Sequence, residues 1–183
     1  MGLFQYIDKI NIGTIVKKHI GTLVNANTGK SGTNDIITFI VIPVAVALAL
    51  CLLKIELCND VINIIIVSLS IFVGLLFNLI ILIFDIVKNN RTNKTKNLLL
   101  EQILVNIAFT VLLSLAAIIA TIFTYIRHHM YFKLVMTGIV YYLLTLFIVT
   151  LLMILKRMYT IFDNEMTEIN KEIEDAAAKK KDQ

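Results

Sequence analysis

Charged residues are scarce in this sequence, and long stretches contain none. Asp, Glu, Lys and Arg make up 16% of its 183 residues, apolar residues make up 58%, and the mean hydropathy is +0.83. A chain with so few charges cannot cover an ordinary globular fold with polar surface. The composition therefore argues against a soluble domain and indicates an integral membrane protein.

Four stretches have no Asp, Glu, Lys, Arg or His, and each is about 18 to 24 residues long. A helix needs about 20 residues to cross the hydrocarbon core, and its backbone groups are satisfied within the segment. None of the four shows the period-2 alternation of a membrane barrel strand. We therefore predict an all-α integral membrane protein with four transmembrane helices, at about 36–53, 61–84, 103–126 and 134–155.

Proline and cysteine are also rare. The single proline, Pro43, lies inside the first predicted span and predicts a bend there, either a static kink that improves packing or a moving hinge. Cys51 and Cys58 have neither a CxxC nor a zinc spacing, so we expect free thiols. The first apolar stretch begins too late for a secretory signal, and the opening MGLFQY lacks the Ser or Thr of a myristoylation signal.

No combination of residues predicts catalysis. The spans have no midplane acid or histidine, and we find no nucleophile with a base, no paired carboxylates and no metal-ligand cluster. His128 and His129 are adjacent and would diverge on a helix. The segment 28–32, TGKSG, resembles part of a phosphate-binding loop, but Val24 stands where that loop requires glycine. We expect no enzyme activity, no catalytic residue, no cofactor and no metal.

Basic residues predict the orientation. Of the 17 Lys and Arg residues, 14 lie before the first span, between the second and third, or after the fourth. Positive residues in short loops stay in the cytoplasm, so both termini are predicted to be cytoplasmic. The basic residues that give the net charge of +4 are explained by membrane topology and by contact with anionic lipid head groups. We therefore expect no direct nucleic-acid binding.

Two segments outside the spans have amphipathic patterns. In residues 1–35, apolar residues recur at roughly helical spacing between basic residues. This pattern predicts an interfacial cytoplasmic segment. Residues 156–183 form a second cytoplasmic segment, with apolar residues at coiled-coil spacing. We interpret these apolar residues as a seam that contacts an oligomer or a partner, and the alternative is a solvated tail. The seam residues are Phe162, Met166, Ile169, Ile173 and Ala176.

Two spans have a narrow stripe of polar and small residues. On the second span these are Asn63, Ser70, Gly74, Asn78 and Asp85, and on the third they include Asn106, Thr110, Ser114 and Thr121. Such residues are expected to point away from lipid, because an unpaired amide or hydroxyl in hydrocarbon is costly. The stripes predict either a packing seam or, in an assembly, the lining of a wet pathway. Asn78 is the strongest candidate for either role.

The segment 64–87, IIIVSLSIFVGLLFNLIILIFDIV, resembles small four-span proteins of bacterial phage-defence loci, of which the membrane subunit of the Kiwa system is an example. The resemblance implies a bacterial inner-membrane oligomer that senses phage attack or membrane perturbation and engages a cytoplasmic effector. Together with the seam and the stripes, it favours a non-enzymatic oligomeric membrane subunit. The alternatives are a pore-forming effector and, with less support, a small-solute transporter.

Overall fold

The computed structural model describes residues 12–23, 37–53, 55, 57–89, 94–126 and 130–181, and their secondary structure is helical without strands. The elements are α1 (Ile12–Thr22), a π-helical turn (Ile37–Val41), α2 (Ile42–Leu52), α3 (Asn59–Asn89), α4 (Lys94–Ile126) and α5 (Met130–Lys181). The prediction of an all-α chain is confirmed. The TGKSG segment, the paired histidines and residues 1–11 lie outside the described residues.

Three helices are long and apolar enough to cross a membrane among the described residues, namely α3, α4 and α5. They contain the second, third and fourth predicted spans. The first predicted span is shorter than expected: an 11-residue α2 continues from the 5-residue π-helical turn. The membrane-embedded character is therefore supported by three helices, with a fourth, shorter apolar helix beside them.

Pro43 explains the irregular start of the first apolar helix. It is buried near the first position of α2, directly after the π-helical turn. Proline has no N–H to donate to the carbonyl four residues earlier, so regular α-helical bonding is interrupted there. The wider turn at Ile37–Val41 accommodates this interruption. The irregularity at Pro43 is thus a π-helical turn, and the bend predicted there stays a prediction.

The core lies around α4, which contacts α1, α3 and α5. Three apolar residues of α3, spaced seven apart, pack against α4 and α5: Leu69, Leu76 and Ile83. At the opposite end of the bundle from α1, the Tyr141 hydroxyl donates a 2.9 Å hydrogen bond to the Ile55 carbonyl and holds the connection after α2. The helix α2 packs on α5, and α3 occupies the edge of the bundle.

The last helix is much longer than a membrane requires. It has 52 residues, equivalent to about 78 Å at roughly 1.5 Å per residue. Hydrocarbon accounts for about 30 Å of this length. The remainder continues as the same helix beyond the bundle, where Phe162 is half exposed.

Candidate functional site

The polar stripe of α4 lies inside the bundle. Asn106, Thr110, Ser114 and Thr121 are fully buried. The three hydroxyls donate hydrogen bonds of 2.7–2.9 Å to carbonyls one turn earlier in the same helix. Ser and Thr meet their hydrogen-bonding requirement in this way when no water is near. Within one chain, this stripe therefore contributes to packing.

The polar stripe of α3 faces outward instead. Asn63, Ser70, Gly74, Asn78 and Asp85 are all exposed on the surface of the chain. At 100° per residue their mean direction is roughly opposite that of the buried residues of the same helix. The two predicted stripes consequently do not meet within one chain.

The outward stripe of α3 is only partly satisfied. The Ser70 hydroxyl donates a 2.8 Å bond to the Ile66 carbonyl of its own helix. The carboxamides of Asn63 and Asn78 have no hydrogen-bond partner within the described residues of the chain. At Gly74, an added Cβ would meet no atom within 4 Å. This face thus carries two unpaired carboxamides together with the exposed Val67 and Ile81, and no described residue of the chain covers it.

The predicted seam beyond the bundle is exposed as well. Phe162, Met166, Ile169 and Ile173 lie on the continuous α5 with 44–61% of their surface accessible. The side chain of Ala176, the fifth predicted seam residue, lies outside the described structure. Four apolar side chains at intervals of four, three and four residues therefore form one uncovered strip.

A buried polar cluster joins α1 to the bundle. His19 is 3% exposed, and its Nδ1 lies 2.8 Å from Oδ1 of Asn106. The Thr22 hydroxyl lies 2.7 Å from the same Oδ1 and 2.7 Å from the His19 carbonyl, so its single proton is shared between the two acceptors. The His19 ring stacks on Phe109 at 3.8 Å, with Phe39 at its edge.

A cation from α5 completes this junction. Arg157 donates one hydrogen bond of 2.7 Å to the Thr22 carbonyl and another of 3.2 Å to Oε1 of Gln102. It therefore satisfies a carbonyl at the C-terminal end of α1, where a positive charge is favourable. On the exposed side, Lys18 and Glu101 form an ion pair at 3.7 Å. Such a surface pair contributes little.

The buried position of His19 affects its protonation. Burial lowers the pKa of His19 from its ordinary value of 6.5, because the charged imidazolium loses its hydration. The bond to Asn106 acts in the opposite direction, and the nearby charge of Arg157 adds to the lowering. The histidine of this cluster is therefore neutral at pH 7.

The sequence identified one residue of this cluster, but for another reason. Asn106 belonged to the predicted stripe, whereas His19 was not singled out. The available signal was its place at helical spacing from Ile15 and Leu23 on the apolar face of the N-terminal segment. A polar side chain among those residues predicts a buried partner.

Metal-binding groups do not converge in the described ranges. No group there contains three or more His, Cys, Asp or Glu residues that could hold a metal ion. Cys51 and Cys58 are free thiols, as predicted. Cys51 lies beside Gly138, where an added Cβ would approach the sulfur to 3.3 Å. This marks the close approach of α2 and α5.

No protein-family model, curated protein or solved structure matches this chain.

Proposed function

We propose that this chain is a four-span, non-enzymatic subunit of the bacterial inner membrane that assembles with itself through the outward polar face of α3. In this proposal, both termini are cytoplasmic and the oligomer responds to membrane perturbation by engaging a cytoplasmic partner. The observation that carries it is the position of Asn78, an unpaired carboxamide beside Gly74 on a face that lipid would otherwise cover.

The energetic argument concerns the carboxamides. An amide left without a partner in hydrocarbon costs several kcal/mol. Interhelical hydrogen bonds in membranes contribute about 0.6–2 kcal/mol each, and small residues let two backbones approach. A twofold axis beside Gly74 brings the same face of a second chain against the first, so that Asn78 can bond to its counterpart. Self-association thus covers polar groups that one chain leaves uncovered.

The exposed strip on α5 supplies a second contact in the same assembly. Two heptads alone are marginal in water, but membrane anchoring raises their local concentration. Phe162, Met166 and Ile169 begin this strip directly after the bundle. In the proposed oligomer the strip pairs the cytoplasmic helices.

Cysteine crosslinking in membranes tests the assembly. In a Cys51→Ala/Cys58→Ser background, Ser70→Cys places a thiol on the polar face, and Leu75→Cys places one about 140° around the same helix. Both positions are exposed on one chain. We expect crosslinked dimers from Ser70→Cys and few from Leu75→Cys. Monomers from both variants would contradict the proposal.

A bulky substitution gives an independent control. Gly74→Trp has open space in the single chain, and so does the matched Leu75→Trp, which starts from a side chain 57% exposed. We expect Gly74→Trp to reduce Ser70→Cys crosslinking at least tenfold while Leu75→Trp leaves it within about twofold. An equal loss of crosslinking in both variants would indicate a general folding defect. If neither variant lost crosslinking, the contact between chains would not include Gly74.

The alternative is a pore, in which several α3 faces surround a central axis. The same outward Asn63, Ser70 and Asn78 would then face water. Ion flux through reconstituted vesicles separates the two: a packed oligomer leaks no more than empty vesicles. Flux that Asn78→Leu lowers would favour the pore.

A role in phage defence is supported by the resemblance of residues 64–87 to four-span proteins of defence loci. Plaque formation on cells that express the chain with its neighbouring genes tests it. We expect protection, and we expect Gly74→Trp to remove it if assembly is required. Unchanged plaque counts with the parent chain would contradict the defence role and leave the assembly test unaffected.

A further inference from the structure

A cavity of about 780 Å³ opens between α1, the π-helical turn, α4 and α5. Its size falls within the range of about 300–1,000 Å³ that is usual for sites of small organic ligands. The cavity lies against the buried polar cluster, because Thr22 and Arg157 belong to both.

The lining changes from apolar to polar along α5. Val149, Leu152 and Met153 line the apolar end of the cavity, and Lys156, Arg157 and Thr160 line the polar end, further along the same helix. The change takes place over about 16 Å, at roughly 1.5 Å per residue. Phe39 and Ile42 add apolar lining, and Gln102 adds a polar group beside Arg157. The rest of the lining is mixed: Thr22, Leu23, Thr38 and Leu99. The order of apolar and then polar lining along α5 matches an amphiphilic ligand, which has an apolar chain and a polar head group.

The polar end is positively charged. Lys156 and Arg157 line it, and the lining includes no Asp or Glu among the described residues. Arg157 is fixed by its bonds to Thr22 and Gln102, whereas Lys156 is exposed and long enough to move. A fixed guanidinium beside a mobile ammonium suits a phosphate group, which accepts several charge-assisted hydrogen bonds.

The change in polarity coincides with the predicted membrane boundary. The fourth predicted span ends at residue 155, and the cations follow at once. In a membrane-embedded bundle, the apolar end of the cavity therefore lies at acyl-chain depth and the cationic end at head-group depth.

We infer that this cavity binds an anionic glycerophospholipid of the cytoplasmic leaflet. Its phosphate contacts Lys156 and Arg157, and an acyl chain lies along Phe39, Val149 and Leu152. The inference rests on membrane insertion with this end of the bundle at the cytoplasmic face, and it does not depend on the proposed self-assembly. Because Thr22 lines the cavity, the bound lipid also stabilises the contact of α1 with the bundle.

Native mass spectrometry of the full chain in detergent tests this inference. The probes are dioleoyl phosphatidylglycerol, dioleoyl phosphatidylcholine and inorganic phosphate. We expect phosphatidylglycerol to bind at least tenfold more tightly than phosphatidylcholine. Lys156→Gln is expected to weaken phosphatidylglycerol binding about tenfold, the effect of losing one charge-assisted hydrogen bond. Leu152→Trp, which fills the apolar end, should weaken both lipids.

The matched control is Lys171→Gln, an exposed cation on the same helix outside the cavity. It is expected to bind phosphatidylglycerol as the parent does. Equal effects of Lys156→Gln and Lys171→Gln, or equal affinity for the two lipids, would overturn the inference. Competition by inorganic phosphate at equal concentration would assign the site to a soluble anion and overturn it as well. The Gly74→Trp variant should bind lipid unchanged, so failure of self-assembly and failure of lipid binding are distinguishable.

Discussion

Asn106 is the residue on which the junction between α1 and the bundle depends. Its carboxamide oxygen contacts both His19 and Thr22. Asn106→Leu removes that acceptor and leaves a buried imidazole without its partner, at a cost of about 1–3 kcal/mol. We expect faster trypsin cleavage after Lys17 and Lys18, which lie on exposed positions of α1.

A double-mutant cycle separates this contact from packing. His19→Phe retains an aromatic ring against Phe109 but has no polar atom to satisfy. The double variant His19→Phe/Asn106→Leu should lose less unfolding free energy than the two single variants lose together. The expected difference is about 1 kcal/mol. Strict additivity in thermal unfolding would contradict a direct His19–Asn106 interaction.

The lowered pKa of His19 makes the docking of α1 dependent on pH. Since the docked histidine has a pKa below its ordinary value of 6.5, free α1 binds more protons in the interval between the two values. Docking is therefore strongest above about pH 6.5 and weakens as the pH falls through that interval.

Trypsin is unsuitable across this range, so the measurement is bimane fluorescence of a Thr14→Cys label in the Cys51→Ala/Cys58→Ser background. We expect a progressive change between pH 7.5 and pH 5. The same label with His19→Phe should give a flat profile, because the buried imidazole is removed. The neighbouring ion pair of Lys18 and Glu101 is exposed and contributes little. A parallel slope in both would assign the pH dependence to other groups.

At the residue scale, the sequence predicts polar groups better than it predicts their partners. The stripe containing Asn106 was visible from its period, because helical geometry fixes which residues share a face. That Asn106 meets His19 depends on where α1 docks, 87 residues away in sequence. Local periodicity indicates that His19 has a buried partner, but it does not indicate which residue that partner is.

At the scale of the element, the part of α5 beyond the bundle has an uncovered apolar surface, the strip that begins at Phe162. Met166→Asp/Ile169→Asp puts two charges on the strip and should reduce crosslinking of an Ile173→Cys thiol at least tenfold in the Cys51→Ala/Cys58→Ser background. Both positions are exposed in one chain, so the fold of the bundle is not expected to change.

The control for the strip is Lys171→Asp/Glu174→Gln, which changes two exposed polar positions off the strip. Its crosslinking should match the parent within about twofold. If the strip variant crosslinks as well as this control, the far ends of α5 do not pair along the predicted residues.

Helices α3, α4 and α5 were predicted from uninterrupted apolar length, since hydrocarbon imposes a minimum number of residues. The first span was less accurate: its α-helix begins only at Ile42, after the π-helical turn. Pro43 signalled a distortion, but the type of turn depends on packing against α5. Which side of α3 faces outward also required the fold, because an amphipathic stripe alone does not indicate its partner.

At the scale of the whole molecule, the charge asymmetry predicts a membrane orientation that thiol labelling can check. Cys58 is exposed in the connection before α3, and Lys171 is exposed on the far end of α5. In intact cells, a membrane-impermeant maleimide should label native Cys58. A Lys171→Cys thiol in a Cys51→Ala/Cys58→Ser background should react only after permeabilisation.

Labelling of both positions from outside, or of Lys171→Cys alone, would contradict the predicted orientation. A denatured sample provides the control for complete reactivity of each thiol. The result also fixes the leaflet to which the lipid cavity belongs, since Lys156, which lines the cavity, and Lys171 both lie on the part of α5 that follows the fourth predicted span.

The unbroken course of α5 has a mechanical consequence. A straight helix that is gripped at one end acts as a lever arm, and the stretch beyond Lys156 extends for roughly 38 Å to Lys181 at about 1.5 Å per residue. A tilt of roughly 10° within the bilayer, as follows a change in hydrophobic thickness, would swing its tip by about 7 Å. A change of tilt inside the membrane is thereby converted into a displacement the size of a side chain at the far end of α5.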